Sequence, residues 1–222
     1  MRVILSFWQL ALDPAPGHVH TRKRPRQQRS QETYDTILEA AAQVFEALGY
    51  TGATTNKIAD RAGVSIGSLY QYFPNKDALL YALGERHVRA LAAAMTSATA
   101  DLRAAAPPPE QTIRTLYSTL AQLHDTDPHL HRLLYDQAPR PAEAAAQLRA
   151  LQTEMATEVE HHLRRLDLGA PDPTLTALLL VQAAEAQIHG AILDPPPGRT
   201  PAECVEAAIT LCLAALGIRP TA

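Results

Sequence analysis

Aromatic residues are scarce in this chain, 5% of 222 residues with a single tryptophan, so its apolar 46% is mostly aliphatic. Cysteine is nearly absent: Cys204 and Cys212 stand eight apart in an expected helix, sharing a face without the spacing of a metal site or a secreted disulfide framework. They read as two buried reduced thiols of a cytosolic protein, with a redox switch as the alternative. No apolar run approaches the length of a membrane span, so no membrane partner is expected. No glycine-rich phosphate loop appears. Gly63-Val64-Ser65-Ile66-Gly67 has the G-x-S-x-G pattern, but a nucleophile elbow must follow a buried strand, and a helix precedes Gly63. His129-Leu130-His131 and His161-His162 are too loosely grouped to make a metal site alone. No catalytic constellation, metal site or cofactor is therefore expected.

Strong net charge is also missing. The balance is −3, which at first argues against nucleic acid. Divided by segment, the charge says otherwise: residues 20–76 carry eight basic against five acidic side chains, a net of +3, and residues 1–19 cancel, so the remainder must carry −6. A basic end joined to an acidic body is the distribution of a DNA-binding head on a domain with another task. Ahead of that head lies an apolar stretch over 3–12 with Phe7 and Trp8. It makes a weak signal peptide, and the plainer readings are a disordered extension, a mis-chosen start codon or a segment that docks on the body. The basic arm over 21–29 has no apolar face; it is either a solvated tail or, through Arg24 and Arg26, a source of phosphate or minor-groove contacts.

Everything beyond the arm reads as helix. Ile37, Ala40, Ala41, Val44, Phe45 and Leu48 make one stripe of a first helix, stopped by Gly49. Thr54 or Thr55 caps a short helix that Gly63 ends, and Ser65 caps another over 66–72 with Leu69 and Phe73 packing inward. Two helices joined by a short turn containing glycine form the DNA-reading motif, and the second is the candidate reader of the major groove. After Pro74, Asn75 caps a long helix that runs until Pro107-Pro108-Pro109. Further helices occupy 110–124, 128–135 and 142–168, the last closed by Gly169. Asp172-Pro173 starts the penultimate helix and the capping box Thr200-Pro201-Ala202-Glu203 starts the last. Between 175 and 192 apolar residues cover nearly the whole circumference, which predicts burial on two sides, either in a monomeric core or against a second copy of the chain.

Leu48-Gly49-Tyr50, Thr54-Thr55, Ile58-Ala59, Ala62-Gly63-Val64-Ser65, Leu69-Tyr70, Tyr72-Phe73, Lys76 and Leu79-Leu80 occur in order without a gap, and together they resemble the N-terminal domain of the TetR (tetracycline repressor) family of transcriptional regulators. The resemblance implies an all-α protein: a three-helix helix-turn-helix domain, joined by a long helix to a helical bundle that binds ligand and dimerises. On this chain that gives an extension over 1–20, a DNA-binding domain over 21–76 and a body over 77–222. It implies no enzyme, but a cytoplasmic regulator, a repressor in the leading reading, that binds a palindromic double-stranded operator as a homodimer built on its last two helices and is released by a small-molecule effector. The alternative is a helical binding module without specific DNA recognition.

The same resemblance assigns phosphate contacts to Thr55, Tyr72 and Lys76, with Tyr70 shared between packing and phosphate. On the groove-facing side of the reading helix lie Ile66, Gly67, Ser68 and Gln71, with Asn56 nearby. Gln71 suits adenine, Ile66 a thymine methyl, and Gly67 close backbone approach. In the body, Tyr117, His124, Tyr135, Gln182, Glu185, Gln187 and His189 interrupt apolar faces and are the candidate ligand contacts. Glu185 and His189, four apart, form either a mutual ion pair or an anchor for a polar ligand.

Overall fold

The computed structural model describes residues 28–125, 128–139, 141–169 and 171–218, and among these no strand occurs. The elements are α1 (Gln28–Gly52), α2 (Thr55–Ala62), α3 (Ile66–Tyr72), α4 (Lys76–Ala105), α5 (Pro109–Asp125), α6 (Pro128–Gln137), α7 (Ala142–Arg165), α8 (Pro173–Leu193) and α9 (Pro201–Ala215). They divide into two compact units, Met1–Val88 with His129–Ala145, and Arg89–Pro128 with Ala146–Ala222. The extension over 1–20, with Arg24 and Arg26 of the arm, lies outside the described residues.

In the first unit the expected stripe of α1 is buried through Ile37, Leu38, Ala40, Ala41, Val44 and Phe45. The helix breaks at Gly49, where φ is 63°. Leu48, expected on the stripe, is 47% exposed. Thr54 caps α2, its hydroxyl accepting from the Lys57 amide at 3.3 Å, and Gly63 ends it at φ 67°. That left-handed geometry costs an L side chain roughly 1–2 kcal/mol, so glycine belongs there. Ser65 caps α3 by accepting from the Ser68 amide at 3.0 Å. Asn75 Oδ1 accepts from the Ala78 amide at 2.8 Å and starts α4 as expected. Segments expected in the body join this unit: Leu133 and Leu134 of α6 enter the same apolar cluster as Phe45, Leu69, Phe73 and Leu83. Leu134 packs directly over Gly84, its Cδ2 standing 4.0 Å from where a β-carbon would sit.

In the second unit α5 packs on α8 and α9, and these two pack on each other. The core is made of Ile113, Tyr117, Ile188, Ile192, Ile209, Cys212 and Leu213. Ala106 ends α4 in the left-handed region at φ 45°. Arg165 holds the corner that follows, donating to the Ala106 carbonyl at 3.3 Å and the Pro107 carbonyl at 3.0 Å. It also donates to His162 Nδ1, 3.2 Å from its Nη2. α7 closes earlier than expected: the Leu168 amide bonds the Leu163 carbonyl at 2.8 Å around Asp167, which takes the left-handed position at φ 55° ahead of Gly169.

α8 differs from expectation in two respects. It is 21 residues long with a mean hydropathy of 1.3 in its most apolar window, which meets the length and composition of a membrane span. The helix still carries Gln182, Glu185, Gln187 and His189, and α5 and α9 cover one side of it. Within a single chain only that side is buried, through Ala177, Ile188, Ala191 and Ile192. The other side bears Leu175 at 52% exposure and Leu179 at 55%, with Leu178 at its margin.

Candidate functional site

The outer face of α3 is set by what its inner face must do. Leu69 and Phe73 are fully buried, which turns Ile66, Gly67, Tyr70 and Gln71 to solvent. Ser68 is half-buried, its hydroxyl 2.8 Å from that of the cap Ser65. Asn56 is exposed in the first turn of α2. Open space surrounds Gly67, where only the Ser65 hydroxyl, at 3.8 Å, lies near a β-carbon built on it. The face therefore offers an amide, an aliphatic side chain, a phenol and a bare backbone segment on a helix whose back is fixed in the core.

Two of the expected phosphate residues meet there. The hydroxyls of Thr55 and Tyr70 lie 3.0 Å apart, bridging the start of α2 to the exposed side of α3. Either can donate to the other, and the second proton remains available for an acceptor such as a phosphate oxygen. Tyr72 is placed differently from expectation. Only 8% exposed, it bonds the Ser30 hydroxyl at 3.0 Å and packs edge-on to Tyr34. Lys76 is half-buried: Nζ donates to the Tyr50 carbonyl at 2.9 Å and lies 3.9 Å from the centre of the Tyr50 ring. Tyr50 in turn donates its hydroxyl to Asp77, and burial together with that carboxylate pushes its phenol up to about 12. Lys57, not expected in any role, donates to the Gly52 carbonyl at 2.9 Å, and Arg61 donates to Gln43 at 2.7 Å. In the free protein Lys57 and Arg61 hold the corner between α1 and α2, and Lys76 ties the start of α4 to the end of α1.

The second unit gathers most of the expected ligand-contact residues on α5 and α8. Tyr117 donates its hydroxyl to Gln187 Oε1 at 3.1 Å and touches the Cys212 thiol; burial raises both the phenol and the thiol above their ordinary ranges. His124 is 1% exposed, and its Nδ1 lies 2.7 Å from the Leu120 carbonyl. Burial lowers its proton affinity despite that bond. His189 Nδ1 bonds the Glu185 carbonyl at 2.8 Å, and the two imidazoles meet edge to face with centres 4.6 Å apart. The Glu185 carboxylate accepts from the Gln152 amide of α7, and of the two readings of Glu185 with His189 the mutual ion pair is not found among the described residues. Gln152 escaped the sequence reading because it lies on a helix whose polar residues are mostly solvated. Gln182 sits on the exposed side of α8, and Tyr135 belongs to the first unit.

A family model described as "Bacterial regulatory proteins, tetR family" matches residues 37–83, and one described as "Tetracyclin repressor-like, C-terminal domain" matches residues 108–216. The HTH-type transcriptional activator FasR of Mycolicibacterium smegmatis is 33% identical over 161 residues, covering 70% of this chain and 68% of that protein. The class A tetracycline repressor of Escherichia coli is 45% identical over 51 residues, 23% of this chain and 24% of its own. In fold, the chain is similar to a TetR/AcrR-family regulator from Thermobifida fusca at a TM-score of 0.67, with 23% identity over 87% of this chain and all of that one.

Proposed function

The chain belongs to the TetR family of bacterial DNA-binding transcriptional regulators, proteins that are not enzymes, and from that premise we propose that it is a cytoplasmic, homodimeric repressor of a roughly palindromic operator, released by a small-molecule effector. The observation that carries the DNA reading is the outer face of α3, where Ile66, Gly67, Tyr70 and Gln71 are exposed while Leu69 and Phe73 fix the helix from behind. Gln71 is assigned to adenine, Ile66 to a thymine methyl, and the Thr55–Tyr70 hydroxyl pair to a phosphate. Ser68 and Asn56 flank this surface, and Arg24 and Arg26 of the arm are assigned to phosphates beside it. DNA recognition thus rests on residues 21–76, ligand binding and dimerisation on 77–222.

The dimer reading is supported by Leu175, Leu178 and Leu179 of α8 and by Leu211 of α9, exposed by 37–59% in the single chain. A second copy packed on α8 and α9 removes this surface from water and presents two reading helices to two half-sites. The effector reading is supported by the polar group around Tyr117, His124, Glu185 and His189 inside an apolar bundle. Release follows only for a ligand that prefers the conformation unable to bind the operator. One observation favours a second reading, activation: a relative matched over 68% of its length, FasR, carries the name of an activator.

The test is binding to DNA from upstream of the protein's own and neighbouring genes, with wild type beside Gln71→Ala and Tyr70→Phe. A competitor-resistant complex, altered in base preference by Gln71→Ala and weakened on all sequences by Tyr70→Phe, is the expected result. Sequence-indifferent binding, persisting through a selection from random DNA, would leave a helical module without DNA recognition. A promoter reporter then separates repression from activation by the sign of the change on deletion.

A further inference from the structure

His162 and Arg165 form a polar pair at the end of α7 that neither the operator reading nor the effector reading uses. His162 is 3% exposed. Arg165 sets its Nη2 at 3.2 Å and its Nε at 3.4 Å from the His162 Nδ1. A guanidinium has donors and no acceptor, so Nδ1 carries a lone pair and the neutral ring keeps its proton on Nε2. Among the described residues that Nε2 is buried with no hydrogen-bond partner. The ring is therefore tied through one atom, to one side chain.

The same guanidinium closes the corner between α4 and α5. It donates to the Ala106 carbonyl at 3.3 Å and the Pro107 carbonyl at 3.0 Å, and its Nη2 lies 3.4 Å from the Thr112 hydroxyl. The corner needs such a tie, because Ala106 stands in the left-handed region at φ 45°, a conformation that an L side chain keeps only where its surroundings impose it. A second tie lies one turn back. Arg103, in the last turn of α4, grips the Glu158 carboxylate of α7 at 2.7 and 3.1 Å. That grip holds the Glu158 carboxyl below its ordinary range, so this pair stays charged at pH 5 and above.

A second proton on His162 has to enter at Nδ1, since Nε2 already holds one. There it faces the Arg165 N–H groups, donor against donor and cation against cation, so the bond and the imidazolium exclude each other. Burial first, and then the charges of Arg165 and His161 on α7 and of Arg103 on α4, oppose that proton; Glu158 alone favours it, and Glu158 is committed to Arg103. From α5 the pair meets only the uncharged Thr112 hydroxyl. The ring accordingly takes its proton more readily with the guanidinium withdrawn than with it in place, and by linkage a falling pH draws the two apart.

We propose that His162 and Arg165 are a proton-operated latch on the α4–α5 corner: closed while the imidazole is neutral, and opened over residues 106–112 when the ring takes a second proton, with the Arg103–Glu158 pair keeping the end of α4 on α7. Closure is complete above the ordinary imidazole value of 6.5 and is lost as pH falls through the lower value of the closed form.

The test is amide exchange of the full-length protein from pH 7.5 to 5, corrected for the intrinsic pH dependence of exchange, beside an NMR titration of the His162 ring. The amides that report on the corner are Ala106, bonded to the Leu102 carbonyl at 2.9 Å, and Thr112, bonded to the Pro108 carbonyl at 3.0 Å. The expected result is a loss of protection of about ten-fold or more at these two, with a midpoint that coincides with the His162 titration, while the core amides of Ile188 and Ile209 keep theirs. His162→Asn, which leaves an acceptor near the Nδ1 position and cannot take a proton, should hold the corner closed across the range. Arg165→Ala should leave it open throughout. The latch is overturned if Ala106 and Thr112 stay protected after His162 is protonated, if His162→Asn retains the loss, or if Arg165→Ala stays closed. A loss shared equally by Ile188 and Ile209 overturns it too, since that is acid unfolding of the whole unit. Where His162→Asn does not fold, the wild-type midpoints decide, and separate midpoints sink the proposal.

Discussion

Lys76 stands at the junction of two demands. Its ammonium is spent on the Tyr50 carbonyl and lies over the Tyr50 ring. Lys76→Ala should therefore destabilise the first unit by about 1–2 kcal/mol in denaturant unfolding, before any effect on DNA. Two tyrosines separate structure from recognition more cleanly. Tyr72→Phe removes the bond to Ser30 and should cost about 0.5–1.5 kcal/mol of stability with operator affinity unchanged, whereas Tyr70→Phe should leave stability alone and weaken binding. The spacing of Leu69 and Phe73 was enough to find the inner face of α3, but Tyr72 lies on its flank. Whether a flank is covered depends on Ser30 and Tyr34, some forty residues away, and no local pattern carries that. Protons act at the same scale. His124 and His162 are buried with proton affinities lowered from the ordinary 6.5. The unfolded chain therefore binds protons more readily than the folded one. Their contribution to stability is complete above pH 6.5 and is lost as pH falls through the depressed folded values, which a Tm measured from pH 8 to 5 should show as a decline.

Element boundaries were the most legible part of this chain, because caps are local chemistry. Thr54, Ser65, Asn75, Asp172 and the Thr200–Glu203 capping box all start helices as their side chains require. Thr200→Ala should cost about 1 kcal/mol, read by thermal unfolding. Gly63→Ala, forcing a β-carbon into φ 67°, should cost roughly 1–2 kcal/mol although nothing lies within 4 Å of the added atom. Endings set by backbone geometry were harder to see. Asp167 takes the left-handed turn after α7, since an aspartate tolerates that region and the Leu168–Leu163 bond secures it. α8 shows the limit of a periodicity argument: uniform apolarity says that every side seeks burial, not which neighbour supplies it.

At the scale of the whole chain, composition and motif order pointed to an all-helical regulator, and the division into compact units followed long-range packing instead. Leu133 and Leu134 of α6 join the core of the first unit across a sequence gap that no periodicity bridges. Pairing of copies belongs to this scale as well. Leu179→Arg with Leu211→Arg should convert the protein from dimer to monomer in sedimentation, with the helical content of each chain preserved. The exposed leucines of α8 and α9 also have a genetic consequence. They lie far in sequence from α3, so on the proposed pairing a chain with a ruined reading helix keeps its means of association. Co-expressed with the wild type, such a chain enters mixed pairs that hold one good head and cannot span both half-sites. Lesions at Gln71 or Tyr70 should accordingly be dominant over the intact allele, and lesions at Leu179, which exclude the faulty chain from any pair, recessive.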